Sequence, residues 1–330
     1  MALASALLFA ALAALTETVA VIDALRTFPV HVFVVLLLAT TAGIGVRAVR
    51  WRRLMGLLGF PVSFAQALHM QLAGQAAAVT PGRVGEVLKP WFAREVAEMP
   101  FSRGVALVFV ERIADLVAVC LLGLGALSIV GGGWVTLIAL ASALAAVVVG
   151  ARSGRLHAFG LALASRHRLL RDHQVSMERV AETLRMGLSG PVLARSVAAA
   201  VLVWGVEGLA FAWCLYALGF TTLLAPAAVS VHALSVLAGA LSFLPGGIGL
   251  TEATMAGMLV GAGMATAAAS AATIIVRVAT LWWGVALGWA ALASRPRLLR
   301  QLFAGGAVGG GDQASRADME RSGGYNGADD

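Results

Sequence analysis

The sequence predicts an all-α polytopic integral membrane protein, with about six full spans and two re-entrant helical hairpins in an inverted repeat. Three observations lead there. Hydrophobic residues make up 60% of the chain and charged residues only 12%, where soluble domains carry about 25% charge; the mean hydropathy is +0.88. Apolar runs approaching ~20 residues, the length that crosses a hydrocarbon core, recur along most of the chain. Two proline–glycine turns, each bearing charge, join pairs of apolar arms: Thr80-Pro81-Gly82-Arg83-Val84-Gly85-Glu86 and Leu244-Pro245-Gly246-Gly247-Ile248-Gly249-Leu250-Thr251-Glu252.

The net charge of +7 and pI of 10.8 do not point to nucleic acid. The basic residues gather at the ends of apolar segments, as the positive-inside rule requires, and suit a face against anionic lipid. Cys120 and Cys214 lie inside apolar segments and read as small core residues rather than a disulfide or a metal pair.

In chain order, residues 2–22 read as a retained first span and 23–29 as a short loop. Residues 30–46 form a second span, and Arg47, Arg50, Arg52 and Arg53 around Trp51 mark its cytoplasmic boundary. Residues 61–79, carrying Gln66, His69, Gln71 and Gln75, and the charged 87–94 make poor lipid-facing spans; they suit a hairpin buried in protein, where irregular backbone at membrane depth is tolerated. A long span with Glu111, Arg112 and Asp115 covers 102–130, followed by a Gly131–Gly133 turn and a returning span over 134–150. A basic cytoplasmic insert covers 151–195, and its residues 177–188 suit an amphipathic helix on the inner surface. A span with Glu207 covers 196–218, a second hairpin 226–261, and a last span with Arg277 266–293. The transmembrane domain thus covers 1–295, with a cytoplasmic tail over 296–330 that is expected to be disordered. Both termini are expected in the cytoplasm.

Aligning the two turns sets Gly85 against Gly249 and brings His69 opposite His232 and Arg112 opposite Arg277 at nearly equal distances. Two units emerge, about 61–130 and 226–293, entering from opposite sides. Inverted repeats with broken helices meeting near the midplane are a construction of alternating-access transporters.

A charge at a helix centre costs about 2.5–3.5 kcal/mol, so such groups face the bundle interior and pair. Arg112 and Asp115 share a helical face and can pair directly. Glu111 and Asp115 on one face demand a further cation, which Arg83 or Lys89 can supply. Two readings stay open: a neutral network that only locks hairpin to span, or a polar path for a headgroup. In the second, Arg83, Lys89 and Arg277 face phosphate, while Glu86, Glu111, Asp115 and Glu252 face a cationic moiety or protons, with Arg112 among them. Pro81, Gly82, Gly85, Pro245, Gly246, Gly247 and Gly249 would let backbone amides at the helix breaks approach an anion. Glu207 stands apart, and His69 and His232 read as satisfied core histidines.

The single lysine, Lys89, precedes Pro90, so no nucleotide-binding Gly-x-x-x-x-Gly-Lys-Ser/Thr loop exists, and no metalloprotease, serine-hydrolase or Cys-x-x-Cys motif is present. Neither catalysis nor a cofactor or metal is expected.

Arg50-Trp51-Arg52, Thr80-Pro81-Gly82-Arg83-x-Gly85-Glu86, Glu111-Arg112-x-x-Asp115, Pro245-Gly246-Gly247-Ile248-Gly249-x-x-Glu252 and Arg277 together resemble the lysylphosphatidylglycerol synthase transmembrane family of flippase-like membrane proteins, over roughly 1–295. The resemblance implies a bacterial inner-membrane protein associated with moving lipid between leaflets, independent of ATP. It also implies an alternative, an accessory protein that presents lipid to, or scaffolds, a lipid, hopanoid or glycolipid biosynthetic enzyme. The soluble aminoacyl-transferring domain of the synthases is not expected here. A membrane lipid is the expected partner; homo-oligomerisation stays open.

Overall fold

The computed structural model describes residues 18–80, 85–123 and 174–295, with a few positions between 138 and 150. Among the described residues all regular structure is helical. Pro81, Gly82 and Arg83, residues 2–17 of the span expected over 2–22, most of the span expected over 134–150, most of the basic insert and the 296–330 tail lie outside the described residues.

Helix α1 (Thr18–Thr27) runs through Asp23 and Arg26, so the loop expected over 23–29 shrinks to Phe28 and Pro29. Helix α2 spans Val30–Leu57, 28 residues and about 42 Å at 1.5 Å per residue, more than a hydrocarbon core of ~30 Å. Pro29 sits just before its first residue, where a fixed φ and a missing N–H cost the helix nothing. The helix does not stop at the arginines, as the 30–46 span required, but carries them through its second half.

Helix α3 (Phe64–Ala76) opens with a capping box: Ser63 Oγ accepts from the Gln66 amide at 3.2 Å, and Gln66 Oε1 accepts from the Ser63 amide at 2.8 Å. Gln66 is therefore a cap rather than a polar blemish in a span. The chain turns into α4 (Leu88–Ala97) and then α5 (Phe101–Gly123). Helix α6 (Gln174–Gly187) leads to α7 (Gly190–Ala217), again 28 residues long. Helix α8 (Ala225–Leu241), a 3₁₀ turn over Pro245–Gly247 and α9 (Leu250–Gly261) make the second hairpin. The last element, Thr266–Ala293, is continuous: α10 (Thr266–Arg277), a π-helical segment (Val278–Trp282) and α11 (Trp283–Ala293).

The helices pack in a reciprocal pattern. Helices α2 and α7 form a central seam; α3 lies on α11 and α8 on α5; α4 packs on α5 and α9 on α10. Small residues let backbones approach at these crossings, since apolar side chains gain little by leaving lipid for protein. A Cβ on Gly288 of α11 would sit 2.4 Å from the Ala76 amide, and one on Gly85 only 2.0 Å from Ala77 Cβ.

Helix α6 corrects the expected surface helix. It packs along α5, with Gly187 against Val110 and the fully buried Leu188 in the cluster around Trp51. Its apolar face meets protein rather than the inner lipid surface.

Candidate functional site

The charges converge where α2, α5 and α7 meet the two hairpins. Glu111 on α5 is 1% exposed and holds two cations: Arg50 Nε lies 3.2 Å from its Oε1, and Lys89 Nζ donates to its Oε2. Arg50 Nη1 reaches Asp115 Oδ1 at 2.8 Å. Arg112 Nη2 lies 2.9 Å from Asp115 Oδ2 and its Nε 3.3 Å from Glu86 Oε2. Lys89 also sits 4.2 Å from the centroid of the Trp51 ring, which is itself fully buried. The group thus contains Arg50, Lys89 and Arg112 against Glu86, Glu111 and Asp115, and is neutral. Neutrality is what low-dielectric burial demands, because an unpaired charge there is strongly unfavourable.

Two further pairs flank this group. Glu252 accepts from the Gly249 amide at 2.7 Å and from Arg277 Nε, while Arg277 Nη2 donates to the Gly246 carbonyl at 2.8 Å. Arg277 therefore clamps the second turn, in which Gly246 holds a φ of 61° that a side chain would disfavour. The π segment begins at the next residue; one widened turn at a functional position is a recurrent use of π geometry. Arg47 Nη1 lies 3.6 Å from Glu207 Oε1 across the α2–α7 seam, and His232 Nε2 lies 3.9 Å from Glu207 Oε2. Arg47 also covers the Trp204 ring at 4.7 Å.

Most of the expected partnerships appear. Arg112 pairs with Asp115, and Lys89 supplies the cation that Glu111 needs. Other expectations require correction. Arg47 and Arg50 do not mark a membrane boundary: they are 8% and 4% exposed and point inward, whereas Arg52 and Arg53 on the other face are exposed. One signal was available, because Arg47, Arg50, Trp51 and Leu54 recur at the spacing of a single helical face. Glu207 is not isolated, since Arg47 is its partner. The turn amides of Gly85, Gly247 and Gly249 are not offered to an anion: they donate to Thr80 Oγ1, the Leu244 carbonyl and Glu252. Buried N–H groups take the nearest acceptor, and here each turn supplies its own. Of the three expected phosphate ligands, Lys89 and Arg277 spend donors on carboxylates and on the Gly246 carbonyl, and Arg83 lies outside the described residues. His69 Nε2 meets the Ala291 carbonyl at 3.0 Å, as a satisfied core histidine does. His232 is 1% exposed and neither ring nitrogen has a hydrogen-bond partner.

Two adjacent spaces are built around these groups. A small polar cavity of about 70 Å³ is lined by Arg47, Lys89, Arg112, Arg277, Glu86 and Glu207 together with Thr40, Gln71, Gln75, Trp204 and His232. Thr40 Oγ1, Gln71 Oε1 and Trp204 Nε1 on its wall are buried without hydrogen-bond partners. The Arg112 side chain keeps 29% of its surface accessible, the most open cation of the network. A larger, mainly apolar groove of about 450 Å³ runs between α5 and α8, lined by Val105, Phe109, Leu116, Val119, Leu241 and Phe243 among others. Both spaces share Glu86, Arg112, Trp204, Val236 and Arg277.

Fold and site together define the class: an all-α polytopic membrane protein in which a charge-lined cavity and an apolar groove share one wall. Within that class the chain belongs to the family described as the lysylphosphatidylglycerol synthase TM region, whose model matches residues 1–288. A comparison with curated proteins finds no match. The family is a membrane domain, compatible with a lipid-related membrane function for this chain.

Proposed function

We propose that the protein is an ATP-independent translocase of a lipid or lipid-linked intermediate in the bacterial inner membrane, and not an enzyme. The observation that carries this reading is the wall shared by the two spaces. A lipid has one charged end and one apolar end, and here a polar cavity and an apolar groove meet at Glu86, Arg112 and Arg277. The headgroup would enter at this shared wall, the cavity of about 70 Å³ widening to admit it, while acyl chain lies in the groove between α5 and α8. Arg112, the most open of the four cations on the cavity wall, is the donor that an anionic headgroup would meet first.

The reciprocal packing supports an inverted repeat. Each hairpin's first arm lies on the other unit's span, α3 on α11 and α8 on α5. The Arg112–Glu86 pair is matched by Arg277–Glu252. Val30 to Arg47 and Gly190 to Glu207 are equal steps along two 28-residue helices, so the residues that pair across the seam are counterparts. Such a seam lets two units rock about a fixed site.

Protein reconstituted into liposomes should accelerate movement of a fluorescent phosphatidylglycerol between leaflets. Glu86→Gln and Arg112→Ala should slow it while the protein stays folded; unchanged rates in both variants would remove the site from the mechanism. The accessory reading draws on the full matching of buried cations by carboxylates, which a merely locked bundle also needs. Lipid binding without leaflet transfer would favour it.

A further inference from the structure

The charged groups at the site are not all held alike. Around Glu111 the contacts are short, and three cations and three carboxylates interlock. At the α2–α7 seam they are long: 3.6 Å from Arg47 to Glu207 and 3.9 Å from His232 to the same carboxylate. Glu207 is thus shared by two loosely held partners, a guanidinium and an imidazole.

His232 is the unusual member. A neutral imidazole has one donor and one acceptor nitrogen, and both are left without partners on a side chain that is 1% exposed and lines the cavity. It lies among aromatic rings, with its centroid 5.8 Å from Phe211 and 6.3 Å from Trp204. The charged groups around it come from every neighbouring element: Arg47 from α2, Glu207 from α7, Arg112 from α5, Lys89 from α4, Glu86 from the first turn and Arg277 from α10 line the same cavity. Glu252 of α9 is held by Arg277 and the Gly249 amide. Glu207 is in ion-pair range of the ring, its Oε2 3.9 Å from Nε2.

We infer that His232, with Glu207 and Arg47, forms a proton-binding site that couples proton uptake to entry of an anionic lipid headgroup. The inference rests on the translocase reading for the identity of its second ligand. One ring nitrogen of neutral His232 takes up a proton through its lone pair, giving an imidazolium with two N–H donors and no bond broken. Glu207 Oε2 is the nearest anionic acceptor for one of them. The carboxylate then turns from Arg47 toward the ring, and the guanidinium, otherwise engaged by Glu207 and the Trp204 face, becomes available to the cavity. The cavity gains one positive charge and one free fork of donors, which together suit a phosphate oxygen pair. By linkage, an anion in the cavity raises proton affinity by the same factor. Because Arg47 and Glu207 sit on opposite sides of the seam, the exchange also loosens a contact between the two halves.

The test uses the full chain in vesicles of phosphatidylcholine alone, and of phosphatidylcholine with about one part in five phosphatidylglycerol. Trp204 reports the site, because a protonated imidazole quenches a nearby indole; the Trp204→Phe difference isolates its emission from the other tryptophans. Between about pH 5 and 8.5 the emission should titrate with one proton. His232→Gln should abolish the titration and Glu207→Gln should displace its midpoint. Phosphatidylglycerol should raise the proton affinity roughly tenfold, within the usual range of coupling between sites. A flat wild-type titration, or one that persists in His232→Gln, overturns the proton site; a midpoint indifferent to phosphatidylglycerol overturns the coupling. Leaflet transfer of fluorescent phosphatidylglycerol is followed in the same vesicles. Transfer with a flat titration leaves the translocase reading standing and removes the proton site, whereas a coupled titration without transfer does the reverse.

Discussion

Glu111→Gln, Lys89→Met and their combination test whether the buried network is organised by charge balance. Glu111 is 1% exposed and accepts from Arg50 at 3.2 Å and from Lys89, itself 2% exposed. Glutamine keeps the shape and one acceptor but leaves three cations against two carboxylates. Removing one partner of a buried ion pair costs about 3–5 kcal/mol, or two to three and a half powers of ten in the folding equilibrium at about 1.4 kcal/mol each. Lys89→Met alone leaves the opposite imbalance, although methionine still packs against Trp51. The double variant restores balance, with Arg50 and Arg112 facing Glu86 and Asp115. It should cost no more than the worse single variant, giving a coupling energy of about 3 kcal/mol, at the top of the range for contacting residues. Unfolding by dodecyl sulfate in mixed micelles, followed by far-UV circular dichroism, measures all four proteins. Costs that add to within ~0.5 kcal/mol would refute the balance argument.

Other outcomes follow from the same geometry. Arg50→Met should destabilise by about 3–5 kcal/mol, whereas Arg53→Ala, on the exposed face of the same helix, should stay within ~0.5 kcal/mol; equal effects would return Arg50 to the membrane boundary. Arg277→Lys cannot hold Glu252 and the Gly246 carbonyl together as the guanidinium fork does, so the unfolding assay should register about 1–3 kcal/mol for the orphaned acceptor. Gly85→Ala would place a Cβ 2.0 Å from Ala77 Cβ, forcing the first turn apart, and should cost at least ~1–3 kcal/mol. Val236→Trp at the junction of cavity and groove should slow leaflet transfer of fluorescent phosphatidylglycerol at least tenfold with little change in unfolding; normal transfer would sever the two spaces functionally.

Local spacing carried much of the site in the sequence. Arg112 and Asp115 had to share a face because they stand one helical turn apart, and Glu111 beside them had to find a cation, which Lys89 supplies. The second proline–glycine turn announced itself, because a residue such as Gly246, at a φ of 61°, lets two apolar arms reverse. Arg47 and Arg50 were misjudged for a physical reason: an arginine near the end of an apolar run is what both an interfacial anchor and an interior ion partner look like. Only the phase of the helix distinguishes Arg50 from Arg53. The glycine amides were misjudged because the sequence counts donors but not the acceptors that the folded turn brings to them.

The sequence by itself determined that the chain lives in a membrane, that it is helical, that two charged turns interrupt it and which residues had to be neutralised. Those conclusions follow from hydropathy and from the free energy of isolated charge in hydrocarbon, which act residue by residue. Tertiary structure decided which cation meets which carboxylate, that Arg47 meets Glu207 across the seam, that His232 is left with two unpartnered nitrogens, and that a polar cavity and an apolar groove share one wall. These depend on the crossing of helices distant in the chain, and that crossing is set by packing between faces that hydropathy alone cannot tell apart.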